Sequence, residues 1–557
     1  MENLRIVVIG GVAAGPKAAA RAKRCNPDAE VVLVEKGEWL SYGGCGLPYF
    51  LGATVKELKD LMATSWEAVR TPEFFKNAKD IDVLLGWEAV DIDRQHKNIA
   101  VVHVKTQETK VLPYDKLVLA TGAESVVPPI KGIEGEGVFS LKNPQHALDI
   151  KKYLLNNEIS NAVIIGAGLI GIETSEALAN WGVDVTIIEM QDQIMPLLLD
   201  QELALAFQGY LEEEDLQIIT GTKVLEIKTD EDGRVAGVET DAGFIKGELV
   251  FISTGVKPNT ALAEKAGLEV NKGIVVNEYL QTSDPDIYAG GDCVVSKQQV
   301  SGKDVYVPLG STANKHGRII GTNITGGKEA FPGVMSTSIV KVFDWNAGRT
   351  GLSEKEGKEL GYDVVTAFVP GPDKAHFFPG KKLILTKLIA DRKTGRILGG
   401  QLIGPGDIAR RLDILVTAVS FGGTAHQLAN LDLAYAPPFS PAMDNIINAA
   451  NVLKNIIDGK AQNIGYLEFK DKLKSEQVVF IDLRTEEERK GKQVPAQNLI
   501  HIPFEEIRAR QAEIPKDKEL IVFCILSTRA FEAQVILNHL GFENVKFVNA
   551  GIQFWPL

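Results

Sequence analysis

A short apolar run, Ile6 to Ile9, opens directly into Gly10-Gly11-Val12-Ala13-Ala14-Gly15 and then into an alanine-rich stretch ending near Arg24. Such residues form a buried strand, a tight turn and a helix, an order that leaves few folds available. Glycine lets the backbone approach a pyrophosphate, and the start of the helix supplies amide donors and partial positive charge. A second apolar strand, Val31 to Val34, ends in Glu35, where a carboxylate can accept both hydroxyls of a ribose. The pattern then repeats. Ala162 to Ile165 leads into Gly166-Ala167-Gly168-Leu169-Ile170-Gly171, a complete G-x-G-x-x-G, and a further strand ends at Glu189. The first copy departs from the pattern at its middle position, Val12. Two such units imply two dinucleotide sites in an α/β framework, and Glu189 should repel a ribose 2′-phosphate, which favours NADH over NADPH.

The chain has 557 residues, which implies two to four domains. With 45% apolar and 24% charged residues it can bury large cores. A formal net charge of −13 offers no basic stripe for a phosphate backbone, so no nucleic-acid partner is expected. The N-terminal residues read as a strand rather than a signal peptide, and no apolar run is long enough for membrane insertion; a cytoplasmic location is expected. The cysteines stand at 25, 45, 293 and 524 without a CxxC pair or disulfide-framework spacing, which suits a reducing compartment. Cys25 and Cys293 read as buried, inert thiols.

Two further segments join the glycine loops: Tyr114 to Gly122 (YDKLVLATG) and Thr282 to Asp292 (TSDPDIYAGGD). With them, residues 1 to about 450 resemble the FAD-dependent pyridine nucleotide-disulfide oxidoreductases, in which an NAD domain is inserted into an FAD domain. The resemblance implies that Gly10, Val12, Ala13, Ala14, Gly15, Glu35 and Lys36 hold the adenosine and pyrophosphate of FAD. Thr121 and Gly122 would line the crossover, and Gly291 and Asp292 would close the site, Asp292 on the ribityl chain. Gly166, Gly168, Gly171 and Glu189 would hold NADH, with Glu173 facing the nicotinamide and the flavin.

Members of that superfamily differ in their redox cysteine, and here the segment is Ser41-Tyr42-Gly43-Gly44-Cys45-Gly46-Leu47-Pro48-Tyr49-Phe50. Phe50 stands where a second cysteine would complete C-x-x-x-x-C, so Cys45 has no local disulfide partner. The S-x-x-x-C-G-L-P-Y pattern is similar to coenzyme A disulfide reductases, NADH oxidases and NADH peroxidases, which use one cysteine beside the flavin. Lowering a thiol pKa from about 8.5 to about 5 raises the thiolate fraction at neutral pH roughly thirtyfold. A Brønsted slope of about 0.4–0.5 takes back a similar factor in nucleophilicity. The benefit of a low pKa therefore lies in leaving-group quality and electron donation to the flavin, and a stable Cys45 thiolate is expected.

Residues 330–450 resemble the superfamily's interface domain, which implies a homodimer. Tyr435, in Leu433 to Ser440 (LAYAPPFS), matches a tyrosine that reaches toward the partner's cysteine as proton donor. The family's other tyrosine is replaced in His376-Phe377-Phe378-Pro379-Gly380. Lys17, Arg21, Arg24, Ser41 and Lys79 fall at positions where the disulfide reductases hold coenzyme A, although Gly44 and Met443 replace an asparagine and a lysine.

After a polar join, the α/β pattern restarts. Strand Val478 to Ile481 leads into Asp482-Leu483-Arg484-Thr485, and Leu520 to Phe523 runs into Cys524-Ile525-Leu526-Ser527-Thr528-Arg529 and a helix. This resembles a single rhodanese domain over residues 463–557, whose loop amides cradle an anionic persulfide on Cys524 with Arg529 holding the loop or the anion. Ser527 replaces the usual loop glycine, and Gln493-Val494-Pro495-Ala496 replaces a His-Ile-Pro-Gly segment.

The expected architecture is α/β: two nested Rossmann-like domains for FAD (residues 1–113 and 251–329) and NAD (151–250), joined by a crossover over 114–150. An α+β dimerisation domain (330–450), a linker (451–462) and the α/β rhodanese domain follow. The expected function is NADH-dependent reduction, through Cys45, of coenzyme A persulfide, polysulfide or coenzyme A disulfide, with Cys524 handling sulfane sulfur and sulfide released. The rivals are an NADH oxidase or peroxidase cycling Cys45 through sulfenic acid, and a sulfur carrier whose rhodanese domain serves a separate acceptor.

Overall fold

A computed structural model describes residues 4–556, which divide into two compact units, residues 4–190 with Leu216–Val334, and Gln191–Asp215 with residues 335–556. In the first unit, strand Arg5–Ile9 lies at the centre of a five-stranded parallel sheet. It pairs with Glu30–Glu35 on one side and Lys116–Leu119 on the other, and Asp82–Leu85 and Ile287–Ala289 form the edges. Four of the five residues of the central strand are buried, as a strand covered on both faces requires. The second sheet repeats the plan around Asn161–Ile165, with Asp184–Ile188 and Leu249–Ile252 as its parallel neighbours. The chain enters that inserted layer through Ala123–Ser125 and leaves through Val256–Pro258, and these segments pair antiparallel. Nesting is thus sealed by one short two-stranded ribbon.

The second unit holds a five-stranded antiparallel sheet with Trp345–Gly351, Ile397–Gly404 and Leu383–Asp391 at its middle, and a parallel sheet in the order Asn463–Ile464, Val545–Val548, Glu519–Phe523, Val478–Asp482, Leu499–His501. Aromatic contacts tie the two sheets together: Trp345 meets Phe554 at 5.9 Å and Phe368 meets Trp555 at 6.1 Å, edge to face.

Two segments differ from expectation. Residues 191–215, placed by pattern inside the NAD domain, belong to the second unit, because the helix Gln201–Glu213 buries Leu203, Phe207 and Leu211 there and stacks Tyr210 on Trp345 at 4.5 Å. Asp200, at the start of this helix, also pairs with the fully buried Lys387 at 2.8 Å. The helix Asn445–Ile457 runs through the first half of the stretch expected as a linker, driven by an apolar face with Ile446, Ala450 and Leu453 buried.

Candidate active site

The two glycine loops are near copies. Gly10 and Gly166 adopt φ of +106 and +105, and a Cβ on either would stand 2.0 Å or 2.3 Å from a carbonyl oxygen, of Ala120 or Ser253. Gly15 and Gly171 press against their own loop: a Cβ would lie 1.9 Å from the Gly10 oxygen and 2.2 Å from the Gly166 oxygen. Only glycine satisfies these positions. At Gly168 an added Cβ would meet no protein atom within 4 Å, so that glycine serves the approach of a ligand rather than packing, and a Val12 at the equivalent place leaves the turn intact. Gly122 likewise faces open space at φ +69, and Thr121 beside it donates its hydroxyl to the Asn259 carbonyl at 2.7 Å.

Each loop is braced by the acidic residue that ends the next strand. The Gly11 and Gly37 amides donate to the two oxygens of Glu35 at 2.6 and 2.7 Å, and the Ala167 amide donates to Glu189 at 2.8 Å. Lys36 is instead exposed and pairs loosely with Glu88 at 3.8 Å.

The helix Ala14–Cys25 crosses the helix Gly310–Asn323 in very close contact, since Gly317 and Gly321 lie against the backbone of Ala14 and Ala18. This crossing places the start of the second helix at the cysteine. Cys45 lies in a short 3-10 turn, exposed, where a Cβ on Gly310 would be 3.8 Å from its Sγ, and the Gly310 amide donates to the sulfur. Burial of the thiol, and then the carboxylates of Glu173 and Asp292, nevertheless push the Cys45 pKa up, against the opposing amides of Gly310 and of Cys45 itself. The chain's own residues therefore do not produce the lowered thiol pKa expected from the loop alone. Burial first, and after it two acids from remote segments, outweigh the helix start.

Glu173 is itself perturbed. Burial raises its carboxyl to about 7, with Glu176 adding to the rise, while Tyr49 donates its hydroxyl to Glu173 at 3.4 Å and works the other way. Asp292 is likewise raised by burial, with Lys142 at 3.9 Å opposing. The Gly291 amide donates to His316 Nδ1 at 3.1 Å, and burial lowers the pKa of that imidazole to about 4, which keeps it neutral. A glycine cradle with a desolvated carboxylate at its far end fits a dinucleotide bearing a polyol. Gly10, Gly15 and Glu35 would hold the adenosine end and Asp292 the polyol of FAD.

Four of the five residues expected at coenzyme A gather on one side of this loop. Burial lowers the Lys79 pKa, and Arg24, Arg70 and Lys17 lower it further, so four cations share one neighbourhood. Arg70, which motif matching did not single out, donates to the Ser41 carbonyl at 3.0 Å, and Ser41 in turn donates its amide to Gly11. Arg21 is diverted: its Nε donates to the Thr322 hydroxyl at 3.0 Å. Of the other cysteines, Cys293 is buried with its thiol on the Leu119 and Gly290 carbonyls, whereas Cys25 is exposed at a helix end rather than buried.

In the second unit Cys524 follows strand Glu519–Phe523 and is buried. Its carbonyl accepts from the Ile552 amide, and Arg529 reaches its sulfur while also donating to Glu488 at 2.7 Å. Glu488 is fixed by a capping box with Thr485, and the wholly buried Arg484 binds Asp482 through two nitrogens. Ser527 takes φ +67, the left-handed region. Tyr435 is exposed, at 52% of its surface. No group of three or more His, Cys, Asp or Glu among the described residues is placed to hold a metal ion.

Comparison with known proteins identifies the domains. Residues 4–317 match the family model described as pyridine nucleotide-disulphide oxidoreductase, 337–447 its dimerisation domain and 466–556 a rhodanese-like domain. The chain is similar to a NAD(P)H coenzyme A polysulfide/persulfide reductase of Pyrococcus horikoshii, 37% identical over 459 residues covering 81% of this chain and 99% of that protein. Among solved structures it resembles a NAD-dependent persulfide reductase from A. fulgidus, with a TM-score of 0.95 and 44% identity over 99% of this chain and all of the other. It also resembles a reduced Bacillus anthracis CoADR-RHD, with a TM-score of 0.92 and 34% identity over 100% of this chain and 98% of the other. The chain therefore belongs to the FAD- and NAD(P)H-dependent pyridine nucleotide-disulphide oxidoreductases, in the form that carries a rhodanese-like domain.

Proposed function

We propose that this enzyme uses NADH to reduce coenzyme A persulfide, polysulfide or coenzyme A disulfide at Cys45, with Cys524 handling sulfane sulfur. The observation that carries the proposal is the pairing of two solitary thiols in different settings. Cys45 is exposed beside the Gly310 amide, and Cys524 is enclosed beside Arg529. All four cysteines are free, so neither forms a disulfide within the chain. Bound FAD supplies the relay that carries two electrons from NADH to the sulfur at Cys45. The names of the relatives, which include persulfide reductases, support the same substrate class.

In the proposed reaction the rhodanese-like domain, through Cys524, presents the persulfide R–S–SH, the Cys45 sulfur attacks its carrier-side sulfur, the S–S bond breaks, and hydrosulfide leaves. A Cys45–S–S–R disulfide remains, and two electrons and a proton return it to the Cys45 thiolate and RSH. The net change is RSSH + NADH giving RSH, HS⁻ and NAD⁺. Gly310 orients the attacking sulfur, Glu173 holds a proton near neutral pH, and the cluster of Lys17, Arg24, Arg70 and Lys79 offers charge for the phosphates of coenzyme A. Glu189 favours NADH.

The chain would act as a homodimer. Phe377, Tyr435, Phe439 and Met443 are exposed on the dimerisation domain, where the 375–378 turn bonds to the Pro437 carbonyl, and apolar surface of this kind marks an interface. Tyr435 is the proton donor that the partner's Cys45 would receive.

Variants test the division of labour. Cys45→Ser should retain FAD and lose NADH-dependent reduction of every sulfur substrate. Cys524→Ala should keep coenzyme A disulfide reduction and lose sulfur transfer and turnover with coenzyme A persulfide. Persulfide reduction by the Cys45→Ser enzyme would sink the proposal, and full persulfide turnover by Cys524→Ala would instead favour a carrier role for the C-terminal domain.

A further inference from the structure

Cys45 sits in the turn Gly44–Gly46, and the helix Leu47–Leu51 follows it directly. Five residues are too few for a helix to persist on its own, so its neighbours hold it. In front of the sulfur, the Gly43 amide donates to the Leu61 carbonyl at 2.8 Å, and a Cβ on Gly46 would stand 2.4 Å from Leu61 Cδ2. That end is fixed within the FAD-binding layer.

The rear end is fixed from elsewhere. The last carbonyls of a helix have no partner within it, and when buried they must find one. Phe50 and Leu51 are both buried, Leu51 wholly. The Leu51 carbonyl accepts from Trp181 Nε1 at 2.8 Å, and the Phe50 carbonyl from Lys151 Nζ at 3.3 Å. The same ammonium lies 4.2 Å from the centre of the Phe50 ring, whose face attracts its charge. Gly52 completes the seam, since a Cβ there would be 3.0 Å from the Ala177 Cα. All three partners belong to the inserted layer: Lys151 lies in the helix Pro144–Asn156, Ala177 in the helix Leu169–Ala179, and Trp181 just beyond it. Phe50, at the place where a second cysteine would complete C-x-x-x-x-C, is thus an anchor point.

We propose that Trp181 and Lys151 are positioning residues for Cys45: they grip the rear of its helix from the NAD-binding layer and so keep the sulfur against the Gly310 amide. The inference rests on the reaction proposed above for Cys45. Both residues act through the helix, not on the reacting atoms. Trp181 stands at the opposite end of its helix from the Gly166–Gly171 loop, about 16 Å along the axis, so removing its N–H leaves the nucleotide cradle as it is. A residue that merely stabilised the NAD-binding layer would be needed for hydride transfer as much as for disulfide reduction. A grip on the cysteine helix matters only to the second.

Rapid mixing of full-length holoenzymes separates the two halves of the cycle. Trp181→Phe keeps an aromatic ring and removes the Nε1 donor, and Lys151→Met keeps the stem and removes the charge. In both, reduction of the flavin by NADH should stay within about twofold of wild type. Reoxidation of the reduced enzyme by coenzyme A disulfide should slow by about fivefold or more, short of the about 100-fold that a 1 Å misplacement brings. Sulfur transfer at Cys524, in the other unit, should be unchanged, which shows that the variants are folded. Alkylation by iodoacetamide, followed on the Cys45 peptide by mass spectrometry, should reach its midpoint at higher pH in the variants, because the Gly310 donor recedes while Glu173 and Asp292 still face the sulfur. Exposed Cys25 is the internal control and should react as in wild type. Reoxidation within about twofold of wild type in both variants overturns the proposal, and so does an equal slowing of the two half-reactions. A wild-type enzyme that reduces no sulfur substrate would instead overturn the reaction assigned to Cys45. The alkylation midpoint then decides the positioning role alone, and an unshifted midpoint overturns it.

Discussion

Gly317→Ala tests how the helix crossing sets the geometry at Cys45. The added methyl would stand 2.4 Å from the Ala14 carbonyl oxygen and 2.8 Å from Lys17 Cβ, where ordinary contact starts at 3.4 Å. Neither neighbour can yield cheaply, since one is backbone and the other is the rigid root of a side chain. The helices must therefore part by about 1 Å, and overpacking of this kind costs about 1–3 kcal/mol. Native domains hold about 5–15 kcal/mol of stability, so the variant still folds. Function suffers more than stability, because one helix carries the glycine cradle while the other presents the Gly310 amide to the Cys45 sulfur. A misplacement of about 1 Å at reacting groups costs about 100-fold in rate. The assay is kcat/KM for NADH-dependent reduction of coenzyme A disulfide, with flavin content and Tm measured on the same samples. We expect a loss of about 100-fold in kcat/KM with a Tm lower by only a few degrees. Sulfur transfer at Cys524, which lies in the other unit, should be unchanged. Wild-type kcat/KM in this variant would refute the argument that the crossing sets the site.

Three further perturbations probe separate parts of the account. Lys387→Met leaves Asp200 and Glu354, each at 2.8 Å, and Glu202, at 3.7 Å, without their buried cation. The variant should lose about 3–5 kcal/mol in urea unfolding at pH 7. Lys387 also helps to hold the Glu354 pKa down despite burial, a stabilisation present above the unfolded pKa and lost as pH falls through the folded one. The gap between variant and wild type should accordingly narrow in acid, and equal midpoints at neutral pH would contradict the network. An ionised Glu173 stabilises the positive charge that develops on a nicotinamide as hydride departs, so flavin reduction by NADH should accelerate as pH rises through about 7. Glu173→Gln should remove that inflection, and stopped-flow profiles of identical shape would assign the titration elsewhere. Ser527→Gly relieves a left-handed residue worth about 1–2 kcal/mol, against the about 0.5–1 kcal/mol that glycine loses in chain entropy. Calorimetry should therefore find the second unit more stable by about 0.5–1 kcal/mol, and a destabilised variant would count against strain at this position.

The parts of this molecule that sequence made legible are those in which neighbours in the chain are neighbours in space. Gly10 and Gly15 meet inside one turn, as do Gly166 and Gly171, so local spacing announces both loops. Glu35 and Glu189 follow from strand length, and Cys524 from a loop framed by its own strand and helix. What sequence concealed depends on long-range meeting. The Cys45 thiol is pushed up by burial and then by Glu173 and Asp292, residues far along the chain, while the loop motif displays only the features that would lower it. Arg70 joins the basic cluster through the Ser41 carbonyl, and no motif contains it. The helix Gln201–Glu213 reads as part of the inserted domain by order, yet its aromatic Tyr210 finds Trp345. Exposure of Cys25 was equally hidden, because alanine-rich periodicity specifies the packed face of the helix better than its end.

Steady-state NADH oxidation by the purified protein tests the central claim most directly. Coenzyme A persulfide, coenzyme A disulfide, polysulfide, hydrogen peroxide and dioxygen should be compared in parallel, with sulfide recorded at the same time. The account predicts that the sulfur substrates exceed peroxide and dioxygen by orders of magnitude in kcat/KM, with one sulfide released per NADH consumed from the persulfide. Faster oxidation by dioxygen or peroxide, without sulfide, would make Cys45 a sulfenic-acid centre and contradict the account.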